Sequence, residues 1–452
     1  VQGGTFLNDA VLRAFEKELG IEVVRSNIAG LRGAYGAALD AKSLNLDISG
    51  ILTGEKLKNF HRKVSRVTCN GCQNHCRLTV SLFDDHRVFI GGNRCDKPVS
   101  KKKTSTKLDL YDFKYRLLRS YNDENSVKEY KHGAIGFPRG LNFYELTPFW
   151  YAFFHALDFK VVLSSPSSAK RYRHGQATIP SDTVCYPAKL RHGHVIDLLD
   201  KGVKTIFYPC RSYNIREKDT ENHYNCPVVA YYSEVIKNNV KQLRKDDVLY
   251  LNDYRNLSEK SHFAKKAYEH LHAHYPDISL AEVQRATKNA YQEYKKYEEV
   301  IQQKGLHIIK EARKEKKRIV VLSGRPYHVD PLINHDIDKL IRGYQCAVVS
   351  EDIIAHREKN SEPSNVLNQW TYHSRLYKAA NYVARVDDRQ LIQLVSFGCG
   401  VDAITSDEVR DILERHGKIY TQVKIDEVTN LGTVRIRLRS LLEALHKKGR
   451  RK

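Results

Sequence analysis

Methionine is absent from this sequence of 452 residues, and tryptophan occurs only twice. Because a chain of this length rarely lacks methionine by chance, we expect a fragment, or a recoded or processed chain. No apolar run approaches the roughly 20 residues that a membrane-spanning helix needs. The first residues, VQGGTFLND, also lack the basic segment and apolar core of a secretory signal peptide. These absences predict a cytoplasmic protein that does not associate with a membrane.

Motifs of hydrolytic enzymes are missing as well. The sequence has no Ser/His/Asp-type nucleophile pattern and no Walker-type phosphate loop. Their absence favours redox chemistry or binding over hydrolysis.

The net charge is +22, from 75 Lys and Arg residues against 53 Asp and Glu residues. Part of the excess is clustered at 101–103, 314–318 and 447–452. Such clusters are more often solvated loops than binding sites. They also suit a nucleic acid, another anionic partner or a CoA-type ligand, and we keep these as alternatives.

Nine cysteines are an odd number, and in a cytoplasmic protein they more often serve metal binding or catalysis than disulfides. Four of them follow the spacing C-x2-C-x3-C-x18-C at Cys69, Cys72, Cys76 and Cys95. Two β-type runs, LTVSLF and RVFI, predict a hairpin that brings Cys95 back to the other three. Four thiolates at this spacing suit either a tetrahedral zinc ion or a four-iron cluster.

Three further cysteines lie where apolar runs break, within 181–227. Cys185 follows the N-cap candidates SD and precedes a proline, which predicts the first turn of a helix that ends near Leu199. Cys210 directly follows the β-type run TIFY, and Cys226 lies in the segment NCP. Thiols at helix N-termini and at the carboxyl ends of parallel strands are placed for chemistry more than for packing.

Cys399 has a similar setting in a later part of the chain. The strand predicted at 391–397 ends in the turn Gly398-Cys399-Gly400, and we expect the next helix to begin at Ser406. The two glycines keep the backbone open to close approach. Cys346, in the apolar run CAVVS, is interpreted as a core residue.

The pattern of elements predicts an α/β fold with two Rossmann-like or flavodoxin-like parallel-sheet domains joined by helices. Each domain begins with a strand and a Gly-x-Pro turn, GFP in the first and GRP in the second. Residues 100–131 lack sustained periodicity and are interpreted as a linker, and a strand is expected at IEVV near the start. The predicted domains are a remnant domain at 1–45, a four-cysteine metal module at 60–100, a first α/β domain at 132–250, a helical bridge at 251–316 and a second α/β domain at 317–446.

Several long motifs occur in order: GFPRGLNFYELTPFW, IPSDTVCYPAKLRHGH, HYNCPVVAYYSEVIKNN, SGRPYHVDPLINH, SFGCGVDAITSDEV and KIDEVTNLGTVRIRLRSLL. With them, the chain resembles the middle region of the large acyl-CoA dehydratase activase-related proteins. Residues 1–45, with the turn GG-x3-N, resemble the closing part of the actin-like ATPase domain of activators of 2-hydroxyacyl-CoA dehydratases.

The resemblance implies an anaerobic electron-transfer system. In that system, ATP hydrolysis in an activator drives a low-potential electron into a [4Fe–4S] or double-cubane cluster. The reduced cluster passes the electron to a CoA thioester, which then loses water through a ketyl radical. On this resemblance, Cys185, Cys210, Cys226 and Cys399 match the cluster cysteines between two Rossmann-like domains. Arg191 and Arg211 depart from the family motifs, which carry methionine at these positions.

Two functions therefore compete. The first is an iron–sulfur electron-transfer or reductase module. Its expected partner is an activator-type ATPase domain in cis or in trans, and its expected substrate is a CoA thioester or another small molecule. A homodimer is one alternative for its assembly. The second is a zinc-stabilised scaffold that binds nucleic acid or another polyanion through its basic surface. The sequence leaves the catalytic residues unknown.

Overall fold

The computed structural model describes residues 1–45, 50–70, 76–84, 86–93, 107–216, 220–358, 361–396, 398–427 and 431–450. The chain forms two compact units, one of Val1–Val64 with Ser81–Phe89 and one of Ser65–Val80 with Ile90–Lys452. The boundaries predicted for the domains stay predictions.

The part of the first unit that precedes its strand residues is mainly helical. Its helices are α1 (Asp9–Leu19), α2 (Arg32–Ser43) and α3 (Gly54–Lys58). Asn8 caps α1 by accepting the Ala10 N–H at 2.9 Å. The strand expected at IEVV is not formed, because that segment has no ladder partner among the described residues and exposes Val24 by 75%. The relation of this unit to an actin-like ATPase domain stays a prediction.

The segment around the first cysteines forms a three-stranded sheet. Its strands are β1 (Arg62–Thr68), β2 (Arg77–Phe83) and β3 (Val88–Gly91), and they lie side by side in this order. The Phe83 N–H donates to the Arg87 carbonyl at 3.0 Å and closes the turn between β2 and β3. The predicted hairpin is therefore formed.

The linker expected at 100–131 contains a helix, α4 (Leu110–Ser120), so that prediction is wrong for its described part. Asp109 caps the helix by accepting the Tyr111 N–H at 3.0 Å. Tyr111 and Leu118 are buried, and the Tyr111 hydroxyl donates to the Leu322 carbonyl at 2.8 Å. The lysine- and tyrosine-rich composition concealed one apolar stripe, which packs against the sheet of the second α/β domain.

The first α/β domain carries a parallel sheet in the order β5-β4-β6-β7. Its elements are β4 (Ala134–Phe137), α5 (Phe143–Ala156), β5 (Lys160–Leu163), α6 (Ala169–Gly175), α7 (Tyr186–Asp200), β6 (Thr205–Phe207), α8 (Pro227–Asn239) and β7 (Leu249–Leu251). Gly136 in the central strand is paired with Val162 on one side and Ile206 on the other. The strands are short and nearly continuously apolar, as expected for a sheet covered on both faces.

Two helices connect the α/β domains, as predicted for the bridge. They are α9 (Lys260–His272) and the 35-residue α10 (Leu280–Lys314). Ser279 and Glu282 form a capping box at the start of α10. The buried face of α10, including Ala286, Ala290 and Ile308, belongs to the main hydrophobic core.

The second α/β domain has a parallel sheet in the order β11-β10-β8-β9. Its elements are β8 (Ile319–Ser323), α11 (Ile337–Gly343), β9 (Ala347–Ser350), α12 (Asp352–Ala355), α13 (Thr371–Ala384), β10 (Arg389–Ser396), α14 (Gly400–Arg415), β11 (Gln422–Ile425) and α15 (Leu431–Arg450). The predicted class, α/β with two parallel-sheet domains, is confirmed. Cys346 is buried at 2% exposure, in agreement with its interpretation as a core residue.

One predicted boundary needs correction because it affects the site. The helix after Cys399 begins at Gly400 and not at Ser406. Val401 and Ile404 fall on the first turns of this helix, and the run GVDAIT resembles a strand if apolar content alone is counted. Within the described part of the chain, no helix is both long enough and apolar enough to span a membrane.

Candidate functional site

Three cysteines of the second unit occupy the same position in three helices. Cys185 is the N-cap residue of α7, Cys226 of α8 and Cys399 of α14, each with an extended backbone. The first N–H groups of a helix have no intrahelical partner and carry the positive end of the helix dipole. The Cys226 Sγ accepts the Val229 N–H at 3.5 Å. The helix N-terminus therefore favours the anionic form of each thiol, although burial opposes it.

These three thiols affect one another although they come from two α/β domains. Burial raises the pKa of Cys185 to about 12, and the neighbouring Cys226 and Cys399 contribute to the increase. Burial also raises the pKa of Cys226, again with a contribution from Cys399. Because charge interactions in proteins weaken with distance and screening, such mutual effects require that the thiols lie near one another.

The segment that carries Cys226 is held by the second α/β domain. The Tyr224 N–H donates to the Gln369 carbonyl at 2.9 Å, and the Thr371 N–H donates to the Tyr224 carbonyl at 3.1 Å. Tyr224 and Trp370 form a parallel bridge immediately before α13. This backbone pairing holds Cys226, from the first α/β domain, against the domain that carries Cys399.

Arg325 is the cation that faces the thiols. It follows β8, is only 4% exposed, and its Nη2 donates to the Cys399 Sγ at 3.6 Å. The same nitrogen forms an ion pair with Asp402 and lies 3.4 Å from the His373 Nε2. Burial opposes the positive charge, but Asp402 and the surrounding groups hold the pKa of Arg325 well above its usual value.

Asp402 fixes the turn that carries Cys399. Its Oδ2 accepts the Ser396 N–H at 2.7 Å, at the end of β10, and its Oδ1 pairs with Arg325 from the loop after β8. Burial alone would raise the pKa of Asp402, but Arg325 outweighs it and lowers the pKa below the usual value. The turn is therefore tied at one end to its own strand and at the other to the neighbouring strand.

Cys210, the fourth thiol predicted for this site, has a different environment. It lies beyond β6 in a parallel bridge with Tyr254, and its Sγ lies 3.9 Å from the Glu234 Oε1. Burial raises the pKa of Cys210 to about 12, with Glu234 and Asp253 contributing. Burial raises the pKa of Tyr208 to about 12, and Cys210, Cys185 and Cys226 add to the increase, so Tyr208 lies near Cys210 and near these two site thiols. The structure thus brings three of the four predicted cysteines together and places the fourth beside carboxylates.

The donor atoms of these residues suit an iron–sulfur cluster better than a single metal ion. Among the described residues, no three His, Cys, Asp or Glu side chains lie close enough to share one metal ion. An iron–sulfur cluster differs because its thiolate ligands bind separate irons and need not converge on one point. Three partly buried thiols at helix N-termini beside a guanidinium have the soft donors and the positive surroundings that an anionic cluster requires.

The predicted four-cysteine metal module is described only in part. The Cys69 N–H donates to the Cys76 carbonyl at 2.9 Å, which brings these two cysteines to adjacent positions at the ends of β1 and β2. Cys72 and Cys95 lie outside the described residues, and the metal of this module stays a prediction.

Two buried histidines, His192 and His194, serve the packing of α7. His192 lies within hydrogen-bonding distance of Thr178 at 2.8 Å and Tyr232 at 3.0 Å, and burial lowers its pKa to about 4. His194 contacts Ser164 at 2.8 Å, and burial lowers its pKa well below the usual value. Both rings are satisfied within the first domain and are directed away from a shared ligand.

Asp402, His373 and Tyr327 are the site residues that sequence reasoning missed. Burial raises the pKa of Tyr327, with Cys185 and Cys226 among the contributing groups, so its ring also faces the thiols. Asp402 could have been found from its spacing, because an acidic residue at the third helical position is a frequent helix-start signal. His373 lies far along the chain from the cysteines, and its ring Nδ1 is buried without a hydrogen-bond partner.

The fold and the site define an α/β protein in which two parallel-sheet domains contribute thiols to one region. A family model described as the CoA enzyme activase uncharacterised domain matches residues 134–354, from β4 into α12. This match supports the prediction that the chain is related to the acyl-CoA dehydratase activase-related proteins. A search of curated proteins found no match.

The matched region includes Cys185, Cys210, Cys226 and Arg325, whereas Cys399 and Asp402 lie beyond it. The match associates the chain with the activation of acyl-CoA dehydratases.

Proposed function

We propose that the protein is an iron–sulfur electron-transfer or reductase component in the ATP-driven activation of 2-hydroxyacyl-CoA dehydratase-type enzymes, acting in the cytoplasm. The observation that carries the proposal is the approach of Cys185, Cys226 and Cys399, from two domains, at three helix N-termini. The family supports the biological setting. The group that we propose is a [4Fe–4S] or double-cubane cluster.

The side chains of the site have separable roles in this proposal. Cys185, Cys226 and Cys399 would hold the cluster, which supplies one-electron redox chemistry when bound. The helix N-termini and Arg325 offset the negative charge of the thiolates. Tyr327, which is 4% exposed, keeps water from this side of the site. A low-dielectric surrounding of this kind makes each fixed charge more effective than in water.

Cys210 distinguishes two versions of the proposal. With three thiols, one iron of a single cubane has no protein sulfur and is open to a substrate or an exogenous ligand. With Cys210 included, all irons of one cubane are ligated, or the thiol serves a second cubane. The present position of Cys210 beside Glu234 favours the version with three thiols.

The partners that we propose follow from the family and from chemistry. An activator-type ATPase domain, in cis or in trans, would supply the electron, and a CoA thioester or another small molecule would receive it. The positive net charge of +22 suits such anionic groups.

Anaerobic reconstitution of the full chain with iron and sulfide tests the proposal. Iron and acid-labile sulfide are measured per chain, together with the charge-transfer absorption of the cluster. We expect wild-type protein to bind iron at the site, and Cys185→Ser, Cys226→Ser and Cys399→Ser each to lose that iron. Cys346→Ser is the matched control, because Cys346 is a buried thiol of the second sheet that takes no part in the site.

Iron that is retained in all three serine variants would contradict the proposed ligands. Cys210→Ser decides between the two versions, since retention of iron and spectrum supports three thiols and their loss supports four.

The second candidate is a zinc-stabilised scaffold that binds a nucleic acid or another polyanion. The hydrogen bond between Cys69 and Cys76 favours a metal module at that position, with Cys72 and Cys95 as the remaining proposed ligands. Stoichiometric zinc that is lost on Cys69→Ser, with no iron at the other site and with salt-dependent binding of polyanions, would support it. Zinc in the small module and iron in the larger site are compatible outcomes.

A further inference from the structure

Arg325 and Asp402 form a buried ion pair at the edge of the three thiols. Arg325 is 4% exposed and Asp402 is 3% exposed. The guanidinium donates to the Cys399 Sγ at 3.6 Å, and its charge also acts on the thiols of Cys185 and Cys226. One fixed cation therefore faces all three sulfurs, and one fixed anion lies behind it.

The pair also determines the position of Cys399. Asp402 is the third residue of α14 and joins the Ser396 N–H, at 2.7 Å, to Arg325 across the turn that carries the thiol. The neighbouring His373 lies 3.4 Å from the Arg325 guanidinium, and burial lowers its pKa to about 3, so it adds no charge near neutral pH. The electrostatics of this side of the site thus depend on two opposite charges.

We propose that Arg325 and Asp402 are positioning residues that set the reduction potential of the cluster held by the three thiols, with Arg325 raising the potential and Asp402 lowering it. This inference rests on the proposed function. It assigns to each member of the ion pair a separate effect on electron affinity that a purely structural salt bridge would not have.

The physical reason is the charge that reduction adds. One-electron reduction makes the cluster more negative by one unit, so a nearby cation and a hydrogen bond to a ligand sulfur favour the reduced form. A nearby buried carboxylate disfavours it. Because both groups are withdrawn from water, screening is weak and the two effects are large enough to measure separately.

The test uses the full chain, reconstituted anaerobically with iron and sulfide. Potentiometric titration, followed by absorption and by electron paramagnetic resonance, gives the midpoint potential of each variant. We expect Arg325→Gln to lower the equilibrium constant for reduction about tenfold, a shift of about 59 mV for one electron. We expect Asp402→Asn to raise it by a similar factor. Arg325→Lys keeps the charge and should lie nearer to wild type than Arg325→Gln does.

The two variants distinguish an electrostatic role of the ion pair from a structural one. Arg325→Gln and Asp402→Asn break the same ion pair but remove charges of opposite sign. A structural role would shift both variants in the same direction or release iron from both. Arg375→Gln is the matched control, since Arg375 is also buried and paired with a carboxylate, Glu145. Its potential should stay at the wild-type value.

The outcomes are distinguishable. Iron-loaded variants with potentials equal to wild type, or shifted in one common direction, would overturn this inference and leave the proposed function standing. Wild-type protein that takes up no iron at the three thiols would overturn both.

Discussion

Arg191 offers a sharp test of the energetics of the first domain. Its side chain lies in α7 and is fully buried, at 0% exposure. The Nη1 group donates to the Pro138 carbonyl, whereas Nε and Nη2 have no hydrogen-bond partner. The guanidinium carbon lies 3.8 Å from the centre of the Tyr208 ring and 4.9 Å from that of Phe143. Burial lowers the pKa of Arg191, and neighbouring tyrosines only partly oppose the shift.

The size of the effect of Arg191→Met follows from these contacts. Burying a charge without a counter-ion costs several kcal/mol. Stacking on aromatic rings offsets about 2 kcal/mol of that cost, and the single hydrogen bond offsets about 1.5–3 kcal/mol. A buried methionine adds about 1.5–3 kcal/mol of hydrophobic stabilisation. We therefore expect Arg191→Met to raise the free energy of unfolding by about 2 kcal/mol.

The assay is thermal or urea denaturation of the metal-free chain, followed by circular dichroism. For a cooperative unit the size of the second compact unit, about 2 kcal/mol corresponds to an increase in Tm of about 2–3 °C. Arg171→Met is the control, because Arg171 is partly exposed and forms an ion pair with Asp197 at 2.9 Å. That variant should leave Tm unchanged or lower it. A Tm for Arg191→Met at or below wild type would refute the argument that the guanidinium is poorly compensated.

Two further predictions concern pH and packing. Burial, with Asp352 adding to it, raises the pKa of Glu351 from 4.5 to about 7, so the folded chain retains a proton that the unfolded chain releases. The free energy of unfolding should therefore fall as pH rises from about 4.5 to about 7. Urea denaturation at these two pH values measures the loss, and Glu351→Gln should remove it. A Glu351→Gln variant with the same pH profile as wild type would contradict the prediction. Gly193→Ala should destabilise the chain by about 1–3 kcal/mol, because the new Cβ would lie 2.2 Å from the Arg171 carbonyl oxygen. Gly343→Ala, which has no atom within 4 Å of its Cβ, is the control and should be nearly neutral in the same assay.

Local patterns predicted much of the fold because they depend on neighbours in the chain. Short apolar runs and Gly-x-Pro turns identified both parallel sheets, and the proline after Cys185 identified the start of α7. The boundary after Cys399 was misplaced, because an apolar first turn resembles the end of a strand. The amphipathic helix α4 was missed for a related reason, since its apolar stripe is visible only when the partner surface is known.

Neighbouring residues in the chain were enough to specify most elements, the helix-start position of Cys185, and the family that residues 134–354 match. Which thiols meet depends instead on tertiary packing. Cys185 and Cys399 are far apart in the chain, and spacing carries no information about distances across a domain interface. The same applies to Arg325 and Asp402, since their pairing depends on how β8 and β10 lie in the sheet. Long-range packing, and not any local motif, placed a buried cation beside the sulfurs.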